Sequence, residues 1–493
     1  MDQKEASYRQ IVKATSLFGG VQAFQIVITI VRTKFVAILL GPAGMGIAGL
    51  LGSTLNFIGG MTEFGLSTSA VKDVAEASGS ENLARVSEVA IVLRRLVWLT
   101  GILGTILTIV LSPWLSEVAF GNRNYTLAFV LISVALLFRQ VSNGQLVMLR
   151  GMRRLKYLAS VDLLSSVSGL FLVVPLYYFW GLRGIVPGII VLSVVTLILS
   201  WHFSRKIKIE RVRVSILRTF ARGRQMIVLG FMISLSGLLA LGSGYLVRIY
   251  VNRIGGIEQV GLYVAGFAII NTYVGLIFTA MSVDYFPRLS AAARNNEEAK
   301  RLINQQAEVA LLILAPILTV FLVFMNEIII LLYSKKFAGI HDFILWAALG
   351  MFFKAVSWAV AFILLAKGES KVFFWNELFA SVYALGLNLL GYRLFGLTGL
   401  GISFMAGYMV YLLQVFIICK RKYEFSFTAM FYQVYAVQFV LALVCFLIVM
   451  YTATPQSYMF GSVIILLSCF YSYKELDKRL DLRSMLVAFM KRA

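Results

Sequence analysis

The chain has 493 residues, of which 60% are hydrophobic and only 14% are charged. A soluble domain has about 25% charged and about 45–50% apolar residues, so the composition excludes soluble enzymes, disulfide scaffolds and disordered binding proteins. Because one transmembrane helix needs about 20 apolar residues and apolar runs fill most of the chain, the sequence predicts an all-α polytopic membrane protein.

The apolar runs, taken in chain order, predict fourteen transmembrane helices, near residues 15–40, 45–68, 89–112, 126–149, 158–180, 184–203, 226–251, 261–283, 306–332, 343–366, 372–394, 399–419, 429–451 and 458–473. An even number of spans places both termini on the same side of the membrane. The predicted parts are an N-terminal bundle of six helices (1–204), a basic linker (205–225), a C-terminal bundle of six helices (226–420), two further helices (421–473) and an amphipathic tail (474–493).

The formal net charge of +22 arises from 45 Lys and Arg against 23 Asp and Glu. Of these cations, 34 fall in the termini and in the loops and adjoining span ends of one side, and 6 fall in the loops and adjoining span ends of the other side. Cytoplasmic loops of membrane proteins are enriched in Lys and Arg, so we expect both termini in the cytoplasm. This distribution explains most of the excess charge, and no nucleic acid partner is expected.

The sequence has few residues suited to metal or cofactor chemistry. It has two histidines, and its three cysteines show no CxxC spacing, which argues against a zinc site or a disulfide framework. It also has no glycine-rich nucleotide loop and no nucleophile elbow. We therefore expect no metal, no cofactor and no enzymatic activity.

Polar residues and glycines of the first half recur in the second half at one constant offset. The pairs are Gly46 and Gly261, Asn56 and Asn271, Gly60 and Gly275, Arg139 and Lys354, Ser142 and Ser357, and Asp162 and Glu377. Leu and Val align by chance between apolar helices, whereas these residue types do so less often. The offset predicts two copies of a six-helix unit, related by an axis along the membrane normal, with substrate near their interface. Such an architecture is typical of an alternating-access carrier.

Besides those counted with the loops and span ends, five cations lie within the predicted spans: Arg32, Lys34, Arg139, Arg248 and Lys354. Placing a cation at the bilayer centre costs about 2.5–3.5 kcal/mol, and Arg139 and Lys354 are near the middle of their spans. At about 100° per residue, Lys34 points about 200° away from Arg32. The polar residues predicted to support these cations are Gln25, Asn56, Glu63, Asn143 and Asn271.

Two interpretations of these cations remain open. Each could pair with a buried acid, such as Glu63, Asp284 or Glu327, or the set could line a cavity between the two copies. Cations outnumber acids at mid-membrane depth, so the sequence favours a cavity with surplus positive charge. Such a cavity suits an anionic substrate.

The N-terminal residues resemble those of a known family. Arg32-x-Lys34, the stretch Gly41–Gly46, a span with Asn56 and Glu63, and the stretch Ser69–Glu76 are similar to the start of the bacterial Wzx-type flippases of O-antigen and enterobacterial common antigen units. These belong to the multidrug/oligosaccharidyl-lipid/polysaccharide (MOP) superfamily, whose layout of six, six and two helices the whole chain resembles.

The resemblance implies a carrier that moves an undecaprenyl-diphosphate-linked oligosaccharide from the cytoplasmic to the periplasmic leaflet of the bacterial inner membrane by alternating access. It implies that the five membrane-embedded cations face the cavity and bind this substrate. Membrane lipids and the polysaccharide polymerase machinery are the partners that follow from it. The driving force stays open among H⁺, Na⁺ and the membrane potential.

Three other functions were weighed. A multidrug exporter of the MATE type uses a buried carboxylate to exchange H⁺ or Na⁺ for an organic cation, but span 1 carries Arg32 and Lys34 and no acid. A lipid II flippase shares the predicted layout. A polymerase or ligase needs a large external loop, and the longest predicted external segment, near 112–125, is short.

Overall fold

The computed structural model describes residues 2–79, 82–207, 210 and 212–480. Within these ranges the chain forms helices joined by short turns and contains no β-strand. Eleven of its helical segments are long and apolar enough to cross a membrane. The all-α membrane fold predicted from composition is therefore confirmed. The predicted tail 474–493 continues the last helix as far as residue 480, and its remainder lies outside the described residues.

The chain divides into two compact units, and the first comprises Met1–Gly261 with Leu332–Ser334. Its helices are α1 (Asp2–Glu63), α2 (Leu66–Gly79), α3 (Leu83–Phe120), α4 (Thr126–Gly151), α5 (Leu155–Trp180), α6 (Ile185–Ser204) and α7 (Ile216–Gly255), followed by the start of α8 (Ile257–Ala268). In this unit α4 packs against α2, α3 and α6, and α1 packs against α5 and α7.

The second unit comprises Leu262–Leu331 with Lys335–Ala493. After α8 and a π-helical turn (Ile269–Val274) come α9 (Leu276–Ala291), α10 (Asn296–Val323), α11 (Met325–Leu332), α12 (His341–Ala366), α13 (Ser370–Tyr423), α14 (Ala429–Tyr451) and α15 (Thr454–Leu480). Helix α12 packs against α13, and α10 packs against α14 and α15.

An ion-pair cluster fastens the last helix of the second unit to α10. The guanidinium of Arg479 lies 3.1 Å from the carboxylate of Glu308 and 2.7 Å from that of Glu475. Both carboxylates are buried. Separating these helices would leave buried charges uncompensated, which is strongly destabilising. The cluster therefore holds the end of α15 against α10.

Three of the eleven candidate spans contain a break near their middle. Helix α1 is interrupted at Gly41 (φ 64°), a 3₁₀ turn at Gly181–Gly184 separates α5 from α6, and α13 is interrupted at Phe395 and Gly396. These spans have 40, 50 and 54 residues, and one crossing needs about 20. Each of these spans is long enough for two crossings, and the number of fourteen crossings stays a prediction.

Several helix ends differ from the predicted spans. Helix α1 ends at Glu63, although the apolar run continues to residue 68, because Phe64 and Gly65 both take positive φ values. The chain then forms α2, which buries Leu66, Ala70 and Val74 on one side. Helix α7 begins at Ile216, inside the predicted basic linker, so helical geometry covers the second half of that segment.

Backbone conformations recur at the offset found in the sequence. Three pairs of residues with positive φ have this same spacing: Gly41 (64°) and Gly256 (81°), Arg153 (53°) and Gly368 (71°), and Gly181 (53°) and Gly396 (58°). Positive φ is uncommon outside glycine, so this spacing is not expected from unrelated segments. The turns after corresponding helices therefore have the same local geometry.

Close helix contacts recur in the same way. A Cβ on Gly184 would collide with the carbonyl of Leu176, and a Cβ on its counterpart in the repeat, Gly399, would collide with that of Gly391. Gly46 and Gly261, which are also equivalent in the repeat, contact each other: a Cβ on Gly261 would lie 2.9 Å from the backbone nitrogen of Gly46. Glycine permits this close approach of transmembrane helices.

Candidate functional site

The first unit brings together Asn56 of α1 and Arg139 of α4. Nη1 of Arg139 donates a hydrogen bond of 2.6 Å to Oδ1 of Asn56. Arg139 remains exposed at the surface of this chain, although it lies in the middle of an apolar helix. A cation at this depth is costly unless it has polar neighbours or a water-filled space beside it. The asparagine supplies one such neighbour and leaves the other donors of the guanidinium free.

Glu63 joins this cluster from the end of α1. Its carboxylate lies close to Ser67 on α2 and Asn143 on α4, and its charge interacts with that of Arg139. Four residues predicted from the sequence, Asn56, Glu63, Arg139 and Asn143, are therefore neighbours in the structure. Ser67 was not predicted, because its proximity depends on the turn at Phe64–Gly65.

Arg32 lies earlier in α1, before the break at Gly41, where this helix packs against α5. A Cβ on Gly169 of α5 would lie 3.3 Å from Nη1 of Arg32. Arg32 also interacts electrostatically with the hydroxyl group of Tyr177. Arg32, Lys34 and Gln25 are not fully buried. Lys34 makes a noncovalent contact of its own. The structure does not place these three residues in the cluster around Arg139.

Arg248 lies on α7, and part of its guanidinium group is hydrogen-bonded to the backbone of the same helix. Its Nη1 donates to the carbonyl oxygen of Gly244 at 3.2 Å. Its Nε atom is buried and has no hydrogen-bond partner among the described residues. The guanidinium therefore keeps unused donor capacity within the first unit.

The second unit places Asn271 beside Lys354. Nζ of Lys354, on α12, donates a hydrogen bond of 2.6 Å to Oδ1 of Asn271 in the π-helical turn. Three aromatic rings face the same ammonium group, with centroids 6.0, 5.6 and 5.2 Å away: Phe278, Phe404 and Tyr408. Cation–π contacts of this kind are worth about 0.5–2 kcal/mol. Lys354 is thus held in place by an amide oxygen and aromatic rings.

A polar network extends from the ring of Tyr408, and the sequence did not predict it. The rings of Tyr408 and Tyr411 are 6.4 Å apart, and the Tyr411 hydroxyl donates to Glu377 at 2.6 Å. Glu377 also accepts a hydrogen bond from Asn376. The spacing of Phe404, Tyr408 and Tyr411 along one helix face is a signal, but aromatic residues are common on apolar helices and the pattern alone does not point to a site.

Direct ion pairs do not neutralise the predicted site. Among the described residues, Arg32, Arg139, Arg248 and Lys354 have no carboxylate oxygen within 4.0 Å. The two other acids weighed as partners lie elsewhere: Asp284 pairs with Arg288, and Glu327 accepts a hydrogen bond from Tyr458. In the part of the chain that the structure describes, no group of three or more His, Cys, Asp or Glu could hold a metal ion. The arrangement suits binding of an anion through Arg and Lys.

Comparison with protein-family models decides the classification. The model described as polysaccharide biosynthesis protein matches residues 35–342, more than half of the chain. The chain belongs to this family. A second model, lipid II flippase MurJ, matches residues 254–469. No curated protein gives a significant match to the sequence.

Solved structures show the same fold at low sequence identity. The lipid II flippase MurJ in an inward closed conformation has a TM-score of 0.69 and 13% identity, with 94% of this chain and 99% of that chain covered. An inward-facing multidrug resistance MATE family transporter of the MOP superfamily has a TM-score of 0.65 and 16% identity, with 81% and 94% covered. A MOP superfamily transporter from Pyrococcus furiosus, reported for the reverse polarity of its binding pocket, has a TM-score of 0.59 and 16% identity, with 83% and 94% covered.

The family model assigns the chain to the polysaccharide biosynthesis proteins, and its fold is that of solved MATE transporters and of the lipid II flippase MurJ. The expected MATE-like and MurJ-like architecture is confirmed by these neighbours.

Proposed function

We propose that the chain translocates an undecaprenyl-diphosphate-linked oligosaccharide, of the O-antigen or enterobacterial common antigen type, from the cytoplasmic to the periplasmic leaflet of the bacterial inner membrane. The observation that carries the proposal is the pair of cation–asparagine contacts, Arg139 with Asn56 and Lys354 with Asn271. Both cations are membrane-embedded, and neither has a carboxylate of the described residues within 4.0 Å.

A diphosphate is a suitable ligand for such cations. Hydrogen bonds from Arg or Lys to phosphate oxygens are charge-assisted and roughly twice as strong as neutral ones. The asparagine carbonyl oxygens orient the cations without cancelling their charge. Arg32, Arg248 and Lys34 are the further cations proposed to contact the substrate, with Gln25, Glu63 and Asn143 as supporting polar residues.

The direction of transport agrees with the membrane potential. Moving one negative charge outward across an inside-negative membrane is favoured by about 2.3 kcal/mol per 100 mV. For a substrate with two charges the gain is about 4–5 kcal/mol. We propose both termini in the cytoplasm, and H⁺ or Na⁺ remains an additional coupling ion to be tested.

The family matches support a lipid-linked substrate. The family model over residues 35–342 describes polysaccharide biosynthesis, and the model over residues 254–469 is named for a lipid II flippase. A lipid II substrate is the nearest alternative, because it combines the same lipid diphosphate with a different sugar. Competition between the two lipid-linked substrates in one transport assay would decide between them.

The second candidate is a cation-coupled multidrug exporter, favoured by the MATE-like fold. The residues oppose it. The α1 segment from residue 24 to the break at Gly41 contains Arg32 and Lys34 and no acid, and these charges repel an organic cation. A drug-resistance assay on a deletion strain would reveal an exporter.

The proposal is tested with full-length protein in proteoliposomes loaded with a fluorescent undecaprenyl-diphosphate-linked disaccharide. Translocated substrate is destroyed by a membrane-impermeant reductant. We expect the double variant Arg139→Ala, Lys354→Ala to insert normally and to lose transport, whereas Arg85→Gln, which removes an exposed partner of Glu76, keeps it. Full transport by the double variant would refute the assignment of these cations.

A further inference from the structure

The first unit contains a cavity of about 470 Å³ between α3, α4 and α6. Its floor consists of the buried side chains Leu93, Val97, Val141 and Met148. Cavities that hold small molecules have volumes of about 300–1,000 Å³ and mainly apolar walls with a few polar groups. This cavity therefore has the size and lining of a ligand site.

The cavity faces away from the cluster around Arg139, although α4 contributes to both. At about 100° per residue, Val141, Gln145 and Met148 point about 180–240° away from Arg139. The cavity is therefore on the opposite side of α4. A proposal for its occupant does not depend on the proposed transport function.

The rim of the cavity combines two arginines with two tryptophans. Arg94 on α3 and Arg205 after α6 are exposed, and neither has a carboxylate within 4.0 Å among the described residues. The guanidinium of Arg205 stacks 4.4 Å above the ring of Trp201. Trp98 and Trp201 are 44% and 48% exposed. Tryptophan is enriched where the bilayer meets water, so the rim has the character of the headgroup region.

One polar side chain enters the apolar interior. Oε1 of Gln145 accepts a hydrogen bond of 2.5 Å from Ser200, and its amide nitrogen has no protein partner among the described residues. A ligand oxygen below the headgroup would satisfy this donor. The ester carbonyl of a glycerolipid lies at that depth, between the phosphate and the acyl chains.

We propose that this cavity binds one anionic phospholipid, with an acyl chain against the apolar floor and the phosphate between Arg94 and Arg205. The charges are complementary, because no carboxylate of the described residues offsets the two guanidinium groups. Each basic residue near an anionic membrane surface adds to the attraction. The apolar interior suits an acyl chain, which free phosphate lacks.

The test is native mass spectrometry of the detergent-solubilised full chain titrated with phosphatidylglycerol. We expect one lipid to bind the wild type, and the double variant Arg94→Gln, Arg205→Gln to bind it at least tenfold more weakly. The matched control is Arg85→Gln, Arg123→Gln, which removes two exposed arginines that already pair with acids. Thermal unfolding checks that all variants are folded.

A second measurement locates the lipid. Phosphatidylglycerol with brominated chains should quench tryptophan fluorescence, and the variant Trp98→Phe, Trp201→Phe should lose most of that quenching. Equal binding of phosphatidylcholine, equal binding by the arginine double variant, or displacement by millimolar inorganic phosphate would each overturn the proposal. Tighter binding of undecaprenyl phosphate at the same site would identify a polyprenyl lipid as the occupant. This result would also overturn the proposal.

Discussion

Arg139 and Lys354 occupy equivalent positions in the internal repeat, and each donates a hydrogen bond of 2.6 Å to the asparagine 83 residues before it. The two asparagines are themselves equivalent in the repeat. A cation and a neutral acceptor are therefore paired in the same way in each unit. Amide oxygens orient the cations and leave their charge available to an anion.

Replacing the asparagines by aspartates tests whether that charge is used. In Asn56→Asp, Asn271→Asp each cation meets a carboxylate, so the affinity for undecaprenyl diphosphate should fall at least about tenfold, equivalent to about 1.4 kcal/mol. Asn56→Ala, Asn271→Ala should lose less affinity, because alanine adds no competing charge. Binding is measured by titration of the purified protein. If the cations were only structural, the aspartate variant would bind normally and unfold at a higher temperature.

Glu63 partly offsets the charge of Arg139, so replacing it with a neutral residue should change the affinity for the substrate in a defined direction. We expect Glu63→Gln to bind undecaprenyl diphosphate more tightly, because the repulsion between the carboxylate and the phosphates is lost. The same titration measures this change. The control is Glu117→Gln, whose carboxylate pairs with the exposed Arg123. Weaker binding by Glu63→Gln would mean that Glu63 chiefly positions Arg139.

The contact between Gly46 and Gly261 predicts sensitivity to side-chain size. A Cβ on Gly46 would collide with the carbonyl oxygen of Ile257 and lie 3.1 Å from the backbone nitrogen of Gly261. Gly46→Val should destabilise the protein by about 1–3 kcal/mol, as overpacking does. The midpoint of thermal unfolding should fall. Gly52→Val is the control on the same helix, since a Cβ there would meet nothing within 4 Å, and its midpoint should change little.

Glu369 and Lys422 link the two ends of α13 and give a pH-dependent contribution to stability. The hydrogen bond from Lys422, 2.8 Å long, holds the pKa of Glu369 below its ordinary value. A carboxylate with a lowered pKa stabilises the fold at neutral pH, and this contribution is lost as the pH falls through the pKa of the folded state. Glu369→Gln should therefore unfold at a lower temperature than the wild type at pH 7 and at a similar temperature at pH 3. A difference that persists unchanged at pH 3 would contradict the ion pair.

The sequence predicted the fold class and the equivalence of Arg139 with Lys354 because polar residues in apolar helices are rare enough to align. It could not predict that Asn56 is the partner of Arg139, since this depends on how α1 packs against α4. It also missed the end of α1, because the apolar run continues through the turn at Phe64–Gly65. The rings around Lys354 gave no distinct signal among many aromatic residues.

The two equivalent cations differ in chemistry. A guanidinium is a planar fork that can bind two oxygens of one phosphate at once, whereas an ammonium is a compact charge on a flexible stem. The repeat is thus pseudosymmetric: the first unit offers an anion a planar, bidentate donor, and the second unit offers a compact, single-point donor. Under the proposed function, exchanging Arg139 and Lys354 would keep the net charge but move the bidentate donor from the first unit to the second.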